Sequence, residues 1–151
     1  LASAGLVVVT GGYGGTMEAV SLGAADAGGR VIGVTAPTLF PDRPGANQYV
    51  HEMIEASSLA HRIDIMMGMA GATLSLAGSL GTATELLMAW NINHIRRQCG
   101  QALIPGAAVG EHWKMVADAL VLHVGAEIDG IYWANTPVEG VEWIVGQLNL
   151  R

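Results

Sequence analysis

Short apolar runs alternate along the chain with longer segments whose apolar residues recur at helical spacing, and this alternation predicts strands and helices in turn. Leu6-Val7-Val8-Val9-Thr10 reads as a strand. Residues 16–27 place Met17, Val20, Ala24 and Ala27 at helical spacing and end at Gly28-Gly29. Arg30-Val31-Ile32-Gly33-Val34 is the next strand, so a right-handed strand-helix-strand crossover is expected. Ahead of it, residues 1–5 read as the last turn of a helix stopped by Gly5, and the chain is expected to begin partway through a domain.

Residues 35–47 hold Pro37, Pro41, Pro44 and Gly45, a composition that marks a long loop of the kind that often carries function. Residues 49–55 predict a short strand, and Ser57 or Ser58 is placed to cap a helix running to Met69. Ala72-Thr73-Leu74-Ser75-Leu76 is a further strand. The helix expected over residues 82–96 is apolar almost all round, with Leu86, Leu87, Met88, Ala89, Trp90, Ile92 and Ile95, so it calls for a second partner surface. Ala102-Leu103-Ile104 is expected as a strand closed by Pro105-Gly106. A helix over 111–124, a strand at Ile131-Tyr132-Trp133 and a helix over 137–148 with proline in its first turn complete the pattern. The alternation predicts an α/β three-layer sandwich around a mainly parallel sheet, in a single domain spanning residues 1–151.

Two of the strands run into the same motif, Gly-x-x-Gly-Thr followed by a glutamate: Gly12-Tyr13-Gly14-Gly15-Thr16 with Glu18, and Gly78-Ser79-Leu80-Gly81-Thr82 with Glu85. Glycine permits a tight turn and close approach of a ligand, and the free amides of a helix's first turn attract an anion. The duplication therefore points to a phosphorylated ligand, held by Gly11, Gly12, Gly15 and Thr16 and by Gly78, Ser79, Gly81 and Thr82. In the second motif Thr82 and Glu85 also fit a capping box. That arrangement would put the carboxylate at the third helical position, beside the bound anion.

Charge narrows the ligand further. With 7 Lys+Arg against 13 Asp+Glu and a net charge of −6, the chain lacks the basic surface that grips nucleic acid, so phosphate must be bound locally. Arg62, on the helix leading into the second glycine motif, is the candidate cation. The single cysteine, Cys99, allows no internal disulfide and fits a reducing cytoplasm, and at a helix end without a fixed base it reads as passive. The histidines, His51, His61, His94, His112 and His123, form no pair at metal-ligand spacing, and no metal is expected. Every apolar stretch is interrupted before the ~18 residues that suggest a membrane span. The start carries no basic signal region. An excess of apolar residues, 51% against 13% charged, is instead explained by a subunit interface, and at least a homodimer is expected. The first motif is out of phase for GxGxxG, no acidic residue ends the following strand, and GxxxxGKS is absent; redox and nucleoside triphosphate chemistry are disfavoured.

Gly11-Gly12-Tyr13-Gly14-Gly15-Thr16-Met17, Arg62 with Met66 one turn on, and Ala77-Gly78-Ser79-Leu80-Gly81-Thr82-Ala83-Thr84-Glu85 together resemble the Lonely Guy family. These are cytokinin-activating phosphoribohydrolases with the signature PGGxGTxxE. The likeness extends over nearly the whole chain, including Gly29-Arg30-Val31-Ile32-Gly33-Val34 and Thr136-Pro137-Val138-Glu139. It implies a Rossmann-like sandwich, a dimer or larger oligomer, and cofactor-free hydrolysis of the N-glycosidic bond of a nucleoside 5′-monophosphate such as AMP or a cytokinin riboside monophosphate. By position, Arg62 and Glu85 are the implied catalytic pair and Gly78 to Thr82 the implied phosphate cradle. The chain has Ala77 and Ser79 where the motif has proline and glycine, and Ile63 where lysine often follows the arginine. The family's first strand and helix are expected to be missing before Leu1. Carriers of molybdenum cofactor share the wider fold, which sets a non-catalytic binding protein for a phosphorylated ligand beside the hydrolase as an alternative.

Overall fold

The computed structural model describes residues 1–43 and 45–149, and Pro44 of the predicted loop lies outside the described residues. Two compact units divide the chain, Leu1–Ala70 and Gly71–Arg151.

In the first unit, β1 (Val8–Thr10), β2 (Val31–Thr35) and β3 (Glu52–Glu55) form a parallel sheet in the order β1-β2-β3, accompanied by α1 (Thr16–Asp26) and α2 (Leu59–Met69). Val8 pairs with Val31 and Ile32 with Glu52, which makes β2 the central strand. Its five residues are all buried, as an apolar, β-branched central strand of a parallel sheet requires. Strand β3 alternates half-buried and exposed positions, and it covers only the C-terminal part of the segment expected at 49–55. Asn47 accounts for the difference: its carbonyl accepts from Val50 N at 3.1 Å and its side-chain oxygen accepts from Tyr49 N at 3.2 Å, holding that stretch as a turn. Val8, Ala24 and Val31 form the core, with Leu1, Ala2, Val20 and Val50 packed against them. Ser58 caps α2 as expected, its hydroxyl accepting from His61 N at 3.0 Å.

The second unit repeats the plan. Strands β4 (Thr73–Ser75), β5 (Gly106–Val109) and β6 (Ile131–Ala134) pair in parallel in that order, and α3 (Leu80–Gln98), α4 (Glu111–Val124) and α5 (Pro137–Asn149) alternate with them. Leu86, Ala108 and Trp113 form its core cluster, and Ile144 of α5 is 1% exposed. Parallel sheets with flanking helices in alternating order give a Rossmann-like α/β fold, which joins the α/β alternation predicted by the apolar pattern to the fold that the resemblance implies. No helix among the described residues is long and apolar enough to cross a membrane.

Two expectations are corrected here. The strand expected at Ala102-Leu103-Ile104 is displaced to Gly106–Val109. Asn93, 2% exposed, occupies the backbone of Ile104 instead: its Nδ2 donates to the Ile104 carbonyl and its Oδ1 accepts from the Ile104 amide, each at 2.8 Å. The true strand opens on glycine because a Cβ at Gly106 would stand 3.0 Å from Thr73 Oγ1 and 3.2 Å from the Gly130 carbonyl. The second correction concerns α3, which begins at Leu80 with Ser79 in the cap position, so Thr82 is inside the helix and the capping box does not form. The helix starts early because Ser79 is extended and its carbonyl already accepts from Ala83 N at 3.1 Å.

Candidate functional site

Strand β1 delivers the chain into the first glycine turn. Thr10 Oγ1 accepts from Gly12 N at 3.1 Å and closes the backbone over the strand end. Gly12 has φ 76°, and a Cβ there would meet Thr35 Cγ2 at 3.0 Å and Gly33 Cα at 3.2 Å, so both conformation and space demand glycine. At Gly11 the demand comes from a functional candidate: an added Cβ would lie 1.8 Å from Arg62 Nη2 and 2.6 Å from Met17 Sδ. Arg62 therefore passes directly over the turn. It is 7% exposed, and its Nε donates to the Val34 carbonyl at 2.7 Å, which ties α2 to the C-terminal end of β2.

The loop after β2 folds back onto the same turn. Asn47 Nδ2 donates to the carbonyls of Gly12 and Tyr13, both at 3.0 Å, and Asn47 N reaches the Gly12 carbonyl at 2.7 Å. Tyr13, 5% exposed, accepts on its hydroxyl from Ala36 N at 2.8 Å. Its ring meets Phe40 edge-on at 5.6 Å between centres. Arg43 stands against both rings, its guanidinium carbon 4.7 Å from the Tyr13 centre and 4.3 Å from the Phe40 centre, while that of Arg62 is 5.9 Å from Tyr13. Gly15 precedes α1 as its cap residue, Thr16 opens the helix, and Glu18 supplies a carboxylate in its first turn. The first motif thus combines a glycine turn, a helix start, a buried arginine and an aromatic-held arginine within one unit.

The second motif is built differently. A Cβ at Gly78 would be 2.0 Å from Thr82 Oγ1, so Thr82 packs back onto the turn, whereas nothing lies within 4 Å of a Cβ at Gly81. Ser79 makes no side-chain capping bond, and Leu80 is 81% exposed. Thr84 Oγ1 donates to the Leu80 carbonyl at 2.8 Å, and Trp113 Nε1 fixes the strand end by donating to the Leu76 carbonyl at 3.0 Å. Glu85 is half-buried in the second turn of α3, further from the helix start than the capping box required.

Sequence spacing located both turns and Arg62 but gave no role to Tyr13, Arg43 or Asn47. Arg43 carried one readable signal, as a basic residue in the proline-rich loop already marked for function. Spacing also hid a grouping of His94, Glu127 and Asp129, whose ligand atoms lie within 4.8 Å of one another. The cation there is a side chain: Arg97 Nη1 is 2.9 Å from Asp129 Oδ1, and its Nη2 meets Glu127. On α4, Lys114 is 2.7 Å from Asp118, and that hydrogen bond raises the ammonium's pKa.

A family model described as possible lysine decarboxylase matches residues 17–126. Among solved structures, the molybdenum cofactor binding protein from the phototrophic bacterium Rippkaea orientalis superposes with a TM-score of 0.71 at 22% identity, over 97% of this chain and 80% of that one. That likeness establishes the shared fold. No curated protein matches the sequence.

Proposed function

The chain belongs to the possible lysine decarboxylase family, and from that premise we propose that it binds a nucleoside 5′-monophosphate and hydrolyses its N-glycosidic bond. The observation that carries the reading is the buried Arg62 guanidinium lying over Gly11, a cation installed where a strand opens into a glycine turn. We assign ligand contacts to Gly11, Gly12, Gly15 and Thr16 and to Gly78, Ser79, Gly81 and Thr82. Arg62 holds the phosphate-bearing ligand. Hydrolysis joins a water oxygen to C1′ as the C1′–N electron pair leaves with the base, which takes up a proton; ribose 5-phosphate and free base are released. Positive charge builds on the ribose at the transition state, and the Glu85 carboxylate stabilises that charge and orients the water.

The test is release of ribose 5-phosphate from AMP and related monophosphates. Glu85→Gln is expected to lower kcat about 100-fold or more with little change in KM, because its charge acts on the transition state. Arg62→Ala is expected to lose ligand binding as well. Undiminished turnover in Glu85→Gln overturns the catalytic assignment.

A second reading, a carrier that binds a phosphorylated ligand without turning it over, is favoured by Ser79, which puts a side chain where the family motif has glycine. The likeness in fold to a molybdenum cofactor binding protein is compatible with it. Tight binding of a monophosphate without product supports the carrier. Raised turnover in Ser79→Gly supports the hydrolase and identifies the serine as the restraint on it.

A further inference from the structure

We propose that Arg43 forms an anion-receiving subsite beside the first glycine turn and binds the phosphate of the ligand, a role that rests on the phosphorylated-ligand reading above. Apart from Arg62, which the proposed function places on the ligand, the other described basic side chains are already engaged by the protein. Arg30 pairs with Glu52, Arg96 donates to the Ala102 carbonyl at 2.6 Å, Arg97 bridges Glu127 and Asp129, and Lys114 pairs with Asp118. Arg62 is buried and donates to Val34. The guanidinium of Arg43 has neither a hydrogen bond nor an ion pair among the described residues.

It is nevertheless positioned. Tyr13 and Phe40 hold it through their rings at 4.7 and 4.3 Å, and Tyr13 is itself pinned to Ala36 N. Contact with an aromatic ring satisfies the charge without using the N–H groups, so the donor fork stays available to an oxyanion. Because Tyr13 lies within Gly12-Tyr13-Gly14-Gly15-Thr16, the ring sets Arg43 in register with the turn and the start of α1. The same ring has Arg62 at 5.9 Å on the guanidinium carbon. In a chain of net charge −6, drawing two guanidinium groups to one tyrosine opposes their mutual repulsion, and a phosphate monoester dianion relieves it.

Calorimetric titration of the full chain with AMP, adenosine and inorganic phosphate tests this, comparing the unmutated protein with Arg43→Ala and Arg43→Lys. Arg43→Ala is expected to weaken AMP binding about 10–100-fold, as loss of charge-assisted hydrogen bonds does, and to leave adenosine binding unchanged. Arg43→Lys should recover part of the loss, since lysine restores the charge but not the planar fork. Equal AMP affinity in the unmutated protein and Arg43→Ala overturns the subsite and spares the nucleotide reading. Binding of inorganic phosphate but not AMP, again dependent on Arg43, overturns the nucleotide reading and supports the subsite. Failure of the unmutated protein to bind either at millimolar concentration overturns both. Thermal unfolding of each variant supplies the folding control, because an exposed arginine held only by ring contacts should shift the midpoint little.

Discussion

At the scale of single residues, the two kinds of glycine in the first unit make opposite predictions. Gly11 is required because Arg62 occupies the space a side chain would take. Gly11→Ala is therefore expected to push the guanidinium off the turn, costing about 1–3 kcal/mol for overpacking and abolishing phosphate-dependent stabilisation. Urea unfolding and a thermal shift with AMP measure the two effects separately; a variant that keeps both would remove Arg62 from the site. Gly23 lies inside α1 with nothing within 4 Å of an added Cβ. Gly23→Ala should raise stability by about 0.5–1 kcal/mol, since the glycine brings only backbone entropy to a helix interior. The sequence made the glycine turns readable because backbone conformation is written in residue type. It did not reveal which glycine served a turn and which served a neighbour, because that depends on Arg62 arriving from α2, far along the chain.

At the scale of elements, α4 was legible to its ends because Gly110 and Gly125 bracket an amphipathic run. Strand β5 was misplaced by its own composition. Leu103 and Ile104 carry more strand-like side chains than Gly106-Ala107-Ala108-Val109, yet the latter are all buried between neighbouring strands, and at Gly106 an added Cβ would crowd Thr73 and Gly130. What suppresses pairing upstream is one side chain, Asn93, bonded to both polar groups of Ile104. Asn93→Ala leaves the half-buried amide and carbonyl of Ile104 without their partner, and a loss of about 1–3 kcal/mol is expected in urea unfolding. Asn93→Asp keeps the acceptor but replaces the donor with a buried charge, so it should not restore stability. A stability equal to that of the unmutated protein in either variant would assign the tie no structural weight.

At the scale of the molecule, the excess of apolar residues signalled an uncovered surface, and the structure refines where it lies. Trp90, expected to help form it, is turned inward at 5% exposure, and its Nε1 donates to the Glu127 carbonyl at 2.7 Å. Leu87, Met88 and Ile95 of α3 remain exposed, and α4 adds Leu122 at 76% and Val124 at 73%, which periodicity alone did not single out. Leu87, Trp90, Leu120 and Val124 line an open groove of about 320 Å³ in this unit. An apolar surface spread over two helices is costly to leave in water, and a second copy of the chain offers the same apolar helices in return. We therefore predict a homodimer with α3 in its interface. Static light scattering at micromolar concentration should report twice the mass of one chain, and Leu87→Glu combined with Ile95→Glu should halve it, because each carboxylate would be stripped of water without a partner. A stable monomer in the unmutated protein would remove the interface. A dimer that withstands both glutamates would move it off α3, onto the exposed end of α4 that Leu122 and Val124 define.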